Sequence, residues 1–431
     1  MHNPNYKYKV YPINQAKVEG IVEVSGAKNS VLPIICASFI NRKKTHLQNV
    51  PNLNDVNVLL NIVKSIGVKS SFLEEQQEIS IEEFNFESIS INIESDDTRK
   101  IRYSLLLMGA LLGAGIKEIK INLPGGCGFS ERPYDIHLAG FEKMGCSVFE
   151  YENHIEIKAV NGLNPSVVEL RFPSVGATEN LLMAACGVNG VTILKNVAIE
   201  PEIIDLIDFL KKLNISIEFI DTRTVKIDSQ NKRDIEINHY IIPDRIEAIS
   251  WVILGALTSD EGICVKNIDI NHLFAPLLEL QNLGVDFKFE NGSIDVKKSK
   301  FFNSSDLISD VYPKLATDYL PMFAVLLSMA NGTSSIVDTI YPKRFGYLNE
   351  LQKMSLVYLQ KNGEAIIRGN TNYTAAEVTS TDLRGGFAAL LAGLLSNGET
   401  IITNAYQIDR GYSNLVEKMQ KIGIKIERMN A

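Results

Sequence analysis

Asp55-Val56-Asn57-Val58-Leu59-Leu60-Asn61-Ile62-Val63-Lys64-Ser65-Ile66-Gly67 reads as an amphipathic helix that ends on a glycine. Its apolar residues at 56, 59, 60 and 63 fall on one face, as a helix lying on a core requires. Five further segments have the same form: Tyr134 to Gly145, Glu202 to Asn214, His272 to Gly284, Arg344 to Ser355 and Tyr412 to Gly423. Their ends lie 78, 69, 70, 71 and 68 residues apart, a period that spans the whole chain. A left-handed cap favours Gly and tolerates Asn, so Asn214 suits the position and Ser355 does not. A strand-like run follows each cap, for example Val285-Asp286-Phe287-Lys288-Phe289 or Ile424-Lys425-Ile426.

A second helix recurs between these copies, apolar nearly all round and rich in Ala and Gly. It occupies Asn29 to Ile40, Arg102 to Ala114, Ala177 to Val188, Ile246 to Leu257, Asp318 to Ala330 and Asp382 to Leu395. A helix without a polar face is buried on all sides. Turns such as Asn189-Gly190, Glu261-Gly262, Asn331-Gly332 and Asn397-Gly398 lead from most of these helices into strands. Each unit of about 70 residues is then a buried helix, a strand, a surface helix and more strands. Six units divide into two domains of three, which gives an α/β fold with two domains, each an inside-out α/β barrel. The expected boundaries are 1–27 plus 243–431 for one discontinuous domain, and 28–242 for the other. The cleft between two such domains is the expected ligand site.

Composition narrows the function. The net charge of -8 and the lack of a basic cluster argue against nucleic acid as a partner. No apolar run approaches the roughly 20 residues of a membrane span, and Met1 to Lys7 lacks the apolar core of a signal peptide, so a cytoplasmic protein is expected. The six histidines are scattered, none spaced i, i+4 with another, so no metal site is expected. Gly-x-Gly-x-x-Gly and Gly-x-Ser-x-Gly are both absent, which removes dinucleotide and serine-hydrolase readings. Of five cysteines, Cys36, Cys146, Cys186 and Cys264 lie in apolar surroundings and are expected to be buried.

Cys127 differs. It stands in the glycine-rich stretch Leu123-Pro124-Gly125-Gly126-Cys127-Gly128, close to Glu131 and Arg132. Backbone N–H groups and a nearby arginine favour the thiolate, although an unreactive loop cysteine fits the local sequence equally well. Ser25-Gly26-Ala27-Lys28-Asn29-Ser30 opens the first buried helix with a lysine and an amide, suited to an anion or simply to solvent. Pro173-Ser174-Val175-Gly176-Ala177-Thr178-Glu179-Asn180 sits at the equivalent helix start, where Ser174 or Thr178 could be a cap or the amides could hold phosphate. Arg102, Asp244 with Arg245, Asp318, and Asp382 with Arg384 recur at the heads of buried helices, and Arg410 precedes the last surface helix. Charges there are costly unless paired or solvated; each Asp could be a simple helix cap, but their repetition points to a shared ligand site.

Taken together, these motifs resemble the enolpyruvyl transferases over almost the whole chain. The likeness also rests on Arg132-Pro133 with Asp135, Glu200-Pro201-Glu202-Ile203, Ile242-Pro243-Asp244-Arg245, Arg344-Phe345, Thr381-Asp382-Leu383-Arg384 and Ile408-Asp409-Arg410-Gly411-Tyr412. The resemblance implies transfer of the enolpyruvyl group of phosphoenolpyruvate to the 3-hydroxyl of UDP-N-acetylglucosamine with release of phosphate, in peptidoglycan synthesis. It implies no cofactor. It makes Cys127 the general acid, Asp318 the base and Asp382 a second proton-transfer group. Lys28, Arg132 and Arg410 would clamp the phosphate, Arg384 and Arg410 the carboxylate, and Arg102 would add positive potential. For the nucleotide sugar it implies Arg132, Pro133, Tyr134, Asp135 and Ile136 at the uracil, Ser174, Val175 and Gly176 at the diphosphate, and Asn29 and Ile340 at the sugar. The chain departs from the family's usual pattern at Ser130 and Glu131, at Gly385-Gly386 and at Met354-Ser355. Two other readings stay open: a paralogue acting on another acceptor, such as a nucleotide, and a non-catalytic nucleotide-sugar binder.

Overall fold

The computed structural model describes residues 6–13, 17–124 and 134–430. Among them the chain forms two compact units, one from Gly26 to Ile242 and one from the residues up to Ser25 together with those from Pro243 on. Each unit has its own apolar core.

Six sheets of four strands carry the repeat. In one, Val167–Glu169 leads through the helix Val175–Ala185 to the parallel strand Val191–Lys195. The helix Pro201–Lys211 follows, and the antiparallel hairpin of Ser216–Asp221 and Thr224–Asp228 completes the sheet. The helical crossover is what lets consecutive strands run parallel. Alternation puts Thr192 and Leu194 inside with Val225 and Ile227 opposite them. The other five sheets have the same strand order and the same mixture of one parallel and two antiparallel pairings.

The repeats that the chain leaves and re-enters are sewn shut by backbone hydrogen bonds. The strand Ile237–Tyr240 pairs in parallel with Thr45–Gln48. Beside it Ala27 N–H donates to the Ile242 carbonyl at 2.7 Å. In the other unit Glu19–Glu23 pairs in parallel with Gly262–Lys266, and Asp244 N–H donates to the Ser25 carbonyl at 2.9 Å. There Glu247 accepts from Ser25 N–H at 3.0 Å, from Trp251 Nε1 at 3.0 Å and from Lys418 Nζ at 2.6 Å, so a buried carboxylate is fully satisfied.

The expected helices all form. The apolar ones are Lys28–Ala37, Leu106–Gly113, Val175–Ala185, Arg245–Thr258, Leu320–Ser328 and Leu383–Leu395, nearly every residue of each buried. Leu106–Gly113 and Val175–Ala185 meet through glycine: a Cβ on Gly109 would lie 2.1 Å from the Asn180 carbonyl oxygen, and one on Gly113 2.2 Å from that of Met183. All six surface helices end on a left-handed residue, at Gly67, Gly145, Asn214, Gly284, Ser355 and Gly423, with Ser355 at φ 80°. Cys36, Cys146 and Cys186 are buried as expected, but Cys264 is not. Its strand points Ile263 and Val265 inward, and the alternation turns the intervening thiol outward.

One repeated device lies outside the sequence expectations. Asn49, Asn196, Asn267 and Asn404 each follow the second strand of a repeat in the left-handed conformation. Each donates from Nδ2 to a carbonyl just past the neighbouring parallel strand: Ile241 at 2.8 Å, Leu170 at 2.7 Å, Val24 at 2.7 Å and Ser380 at 2.9 Å. Asparagine tolerates the backbone and supplies the donor that continues the ladder. Among the described residues no helix is long and apolar enough to cross a membrane.

Candidate active site

In the unit that includes Pro243 onward, the helix heads gather charge. Asp318 sits in the 3₁₀ turn Thr317–Tyr319 that leads into Leu320–Ser328. Asp382 caps Leu383–Leu395, accepting from Arg384 N–H at 2.9 Å and Gly385 N–H at 3.2 Å, and Asp244 caps Arg245–Thr258 in the same way. The capping role open in the sequence is therefore real for Asp382 and Asp244, and at Asp382 it coexists with ion pairing. Arg344, almost wholly buried, donates from Nη1 to Asp318 Oδ1 at 2.6 Å and from Nη2 to Asp382 Oδ1 at 3.1 Å. Burial alone would lower the pKa of its guanidinium, but Asp382 and Asp318 outweigh that and hold it above the ordinary value.

Arg384 completes the group. Its Nε stands 3.7 Å from Asp318 Oδ2, and its guanidinium lies 5.1 Å from the centre of the Tyr412 ring. Tyr412 shares a hydrogen bond of 2.8 Å with Ser250, stacks on Phe387 at 4.3 Å, and has its hydroxyl pKa pushed up to about 12 by burial. Nε and Nη1 of Arg384 are buried and make no hydrogen bond among the described residues. A buried guanidinium with unused donors beside a partly accessible carboxylate is suited to an anionic ligand. Thr317 ties the site to the scaffold, receiving Arg344 Nη1 at 3.2 Å and donating to Asp338 Oδ2 at 2.7 Å. Asp338 Oδ1 also accepts the Ile340 N–H at 3.0 Å, which fixes the backbone of that predicted sugar contact. Arg410 donates to Gln407 Oε1 at 3.0 Å.

In the unit from Gly26 to Ile242, Lys28 begins its helix buried, with Nζ 2.7 Å from Asp55 Oδ2. The solvent-exposed alternative for this lysine is thereby excluded. Asn29 accepts the Tyr103 hydroxyl at 2.8 Å, next to Arg102 in the turn Arg102–Leu105. Ser174 caps Val175–Ala185, accepting from Ala177 N–H at 3.4 Å, while Thr178 accepts from Ala198 N–H at 3.0 Å. Gly176 faces His137, whose Cε1 would lie 3.2 Å from a Cβ there. Tyr134 and Ile136 are half-buried, and Asp135 is exposed and paired with Arg171, which lowers its pKa.

Three expected residues, Cys127, Arg132 and Pro133, lie outside the described residues, as do Ser130 and Glu131.

Sequence reasoning assigned no role to Arg344, His137 or Glu179. Asn180 Oδ1 accepts from Gly109 N–H at 2.8 Å, so its Nδ2 donates to His137 Nδ1 at 2.7 Å. The ring is thus neutral with its hydrogen on Nε2. Burial, and then the charge of Arg102, push its pKa down to about 3. Burial, with Glu202 and Glu200 nearby, raises the Glu179 carboxyl well above the usual range. Arg344 stood in a quoted motif; a lone arginine ahead of a surface helix carried no sign that two aspartates converge on it.

Six repeats are closed into two units, and one unit gathers paired aspartates and arginines at its buried helix heads. The chain belongs to the EPSP synthase (3-phosphoshikimate 1-carboxyvinyltransferase) family, whose model matches residues 13–419. Within that family its relatives include a UDP-N-acetylglucosamine 1-carboxyvinyltransferase 1 of Caldanaerobacter subterraneus subsp. tengcongensis, 36% identical, with 95% of this chain and 97% of that one covered. The UDP-N-acetylglucosamine 1-carboxyvinyltransferase of Finegoldia magna is 37% identical, with 96% of each chain covered. Among solved structures, the enolpyruvyl transferase NikO from Streptomyces tendae superposes with a TM-score of 0.90 over 100% of both chains at 20% identity, a likeness of fold.

Proposed function

We propose that this protein transfers the enolpyruvyl group of phosphoenolpyruvate to the 3-hydroxyl of UDP-N-acetylglucosamine and releases phosphate, the first committed step of peptidoglycan synthesis. The names of its relatives support that substrate pair. The observation that carries the reading is the buried Arg344 and Arg384 around Asp318, with Nε and Nη1 of Arg384 making no hydrogen bond among the described residues.

The reaction is an addition followed by an elimination. Asp318 takes the proton of the sugar hydroxyl as the oxygen attacks C2 of phosphoenolpyruvate, and Cys127 protonates C3. The tetrahedral intermediate then loses a proton from C3 and phosphate from C2, with Asp382 a second proton-transfer group. Lys28, Arg132 and Arg410 bind the phosphate, Arg384 and Arg410 the carboxylate, and Arg102 adds positive potential. Asn29 and Ile340 contact the sugar; Arg132, Pro133, Tyr134, Asp135 and Ile136 hold the uracil; Ser174, Val175 and Gly176 hold the diphosphate. Each unit is read as an inside-out α/β barrel.

Phosphate release from phosphoenolpyruvate with UDP-N-acetylglucosamine, run beside Cys127→Ala, tests the reading. Release that depends on both substrates and on the thiol is expected. No release above background, or turnover with UMP in place of the nucleotide sugar, would overturn it.

A further inference from the structure

The two ends of the described chain meet in one sheet, where Tyr6–Val10 pairs antiparallel with Ile426–Asn430 and Tyr8 lies opposite Arg428. Three side chains of this ribbon converge on Asp409. The Tyr6 hydroxyl donates to Asp409 Oδ2 and the Tyr8 hydroxyl to Oδ1. Arg428 Nη2 donates to Oδ2 at 2.6 Å and to the Tyr8 hydroxyl at 3.1 Å, with its guanidinium 4.4 Å from the centre of the Tyr6 ring. Burial, and then Asp409, hold both phenols above their ordinary pKa, so they remain donors at physiological pH. A backbone bond adds to the grip, from Ala405 N–H to the Tyr6 carbonyl at 3.2 Å.

Asp409 ends the short helix Tyr406–Asp409, and Arg410 is the next residue. The far side of this segment is fixed as well. Ile408 is fully buried, a Cβ on Gly411 would lie 2.3 Å from Leu383 Cδ1, and Tyr412 lies under Arg384. The backbone of Arg410 is therefore gripped on one side by the terminal ribbon and on the other by the head of Leu383–Leu395.

We infer that Tyr6, Tyr8 and Arg428 are positioning residues for Arg410: by holding the Asp409 carboxylate they set the backbone from which Arg410 reaches phosphoenolpyruvate. The inference rests on the proposed role of Arg410. The strand Tyr6–Val10 thereby contributes to binding one substrate without touching it.

The test compares Tyr6→Phe/Tyr8→Phe, the milder Tyr6→Phe, Arg428→Gln and Arg410→Lys, with KM for each substrate, kcat and melting temperature measured on every variant. Losing both phenolic donors is expected to raise KM for phosphoenolpyruvate about tenfold while KM for UDP-N-acetylglucosamine and kcat stay within about twofold. Tyr6→Phe and Arg428→Gln are expected to give smaller shifts of the same kind. The inference is overturned if Arg410→Lys raises KM for phosphoenolpyruvate and the phenol variants do not, an outcome that leaves the role of Arg410 standing. Both KM values rising together with a fall in melting temperature would reduce the cluster to general stabilisation and also overturn it. If Arg410→Lys leaves KM for phosphoenolpyruvate unchanged, the assignment of Arg410 falls and the inference with it.

Discussion

Arg344 Nη1 lies 2.6 Å from Asp318 Oδ1, and the same guanidinium reaches Asp382 through its other terminal nitrogen. One planar cation thus orients the proposed base and the helix cap beside it. Lysine, a single point charge, cannot bridge both carboxylates. Arg344→Lys is expected to lower kcat/KM about 100-fold in a phosphate-release assay, because Asp318 loses its fixed geometry. Arg344→Ala leaves a buried carboxylate uncompensated and is expected to cost about 3 kcal/mol in urea unfolding.

His137 makes stability depend on pH in a direction its environment fixes. Its folded pKa of about 3 lies below the ordinary 6.5, so between these values the unfolded chain binds a proton that the folded chain refuses. Its contribution is fully present above pH 6.5 and is lost as the pH falls toward 3, with a slope of at most about 1.4 kcal/mol per pH unit. His137→Gln, whose amide oxygen can accept from Asn180, removes this term. Urea unfolding across the range is expected to show a wild-type curve steeper than the variant's by up to one proton.

Ser355 occupies a left-handed cap where four of the five equivalent positions carry glycine and the other asparagine. A Cβ in that conformation costs roughly 1–2 kcal/mol, partly offset by the smaller backbone entropy that serine gives up on folding. The Ser355 hydroxyl makes one exposed hydrogen bond of 2.8 Å, to Thr374. Ser355→Gly is expected to stabilise the protein by about 0.5 kcal/mol, read as a small rise in melting temperature, with kcat unchanged.

The caps and the buried helices were legible because each depends on residues close in sequence: a glycine at a fixed interval, or a run without polar residues. The asparagines at 49, 196, 267 and 404 obey the same periodicity and could have been found with it, since each precedes the next surface-helix cap by 17 to 19 residues. The pairing of Arg344 with Asp318 and Asp382 was not legible, because it joins residues 26 and 38 positions apart through side chains whose directions only the packed helices determine. Lys28 with Asp55 is similar: the lysine was identified, but its buried partner sits on a surface helix whose first acid reads as an ordinary helix-start charge. Composition alone could not distinguish the half-buried thiol of Cys264 from the three buried ones; the strand's alternation could have.

The pair Gly385-Gly386 departs from the family pattern, and its surroundings show why glycine is needed in this chain. A Cβ on Gly386 would lie 2.2 Å from Ser380 Oγ and 2.5 Å from Ile408 Cγ1. Alanine in a helix interior gains about 1 kcal/mol over glycine where there is room. There is none here, since Ile408 is fully buried and Ser380 nearly so. Gly386→Ala is therefore expected to destabilise by about 1–3 kcal/mol, the opposite sign to the propensity. Because Ile408 is two residues before Arg410, pushing it aside also moves the segment that carries the proposed phosphate ligand. A rise in KM for phosphoenolpyruvate accompanying the lower melting temperature is the expected result. Stabilisation by Gly386→Ala would mean that the helix head and the Arg410 segment are not packed against each other as tightly as these distances require.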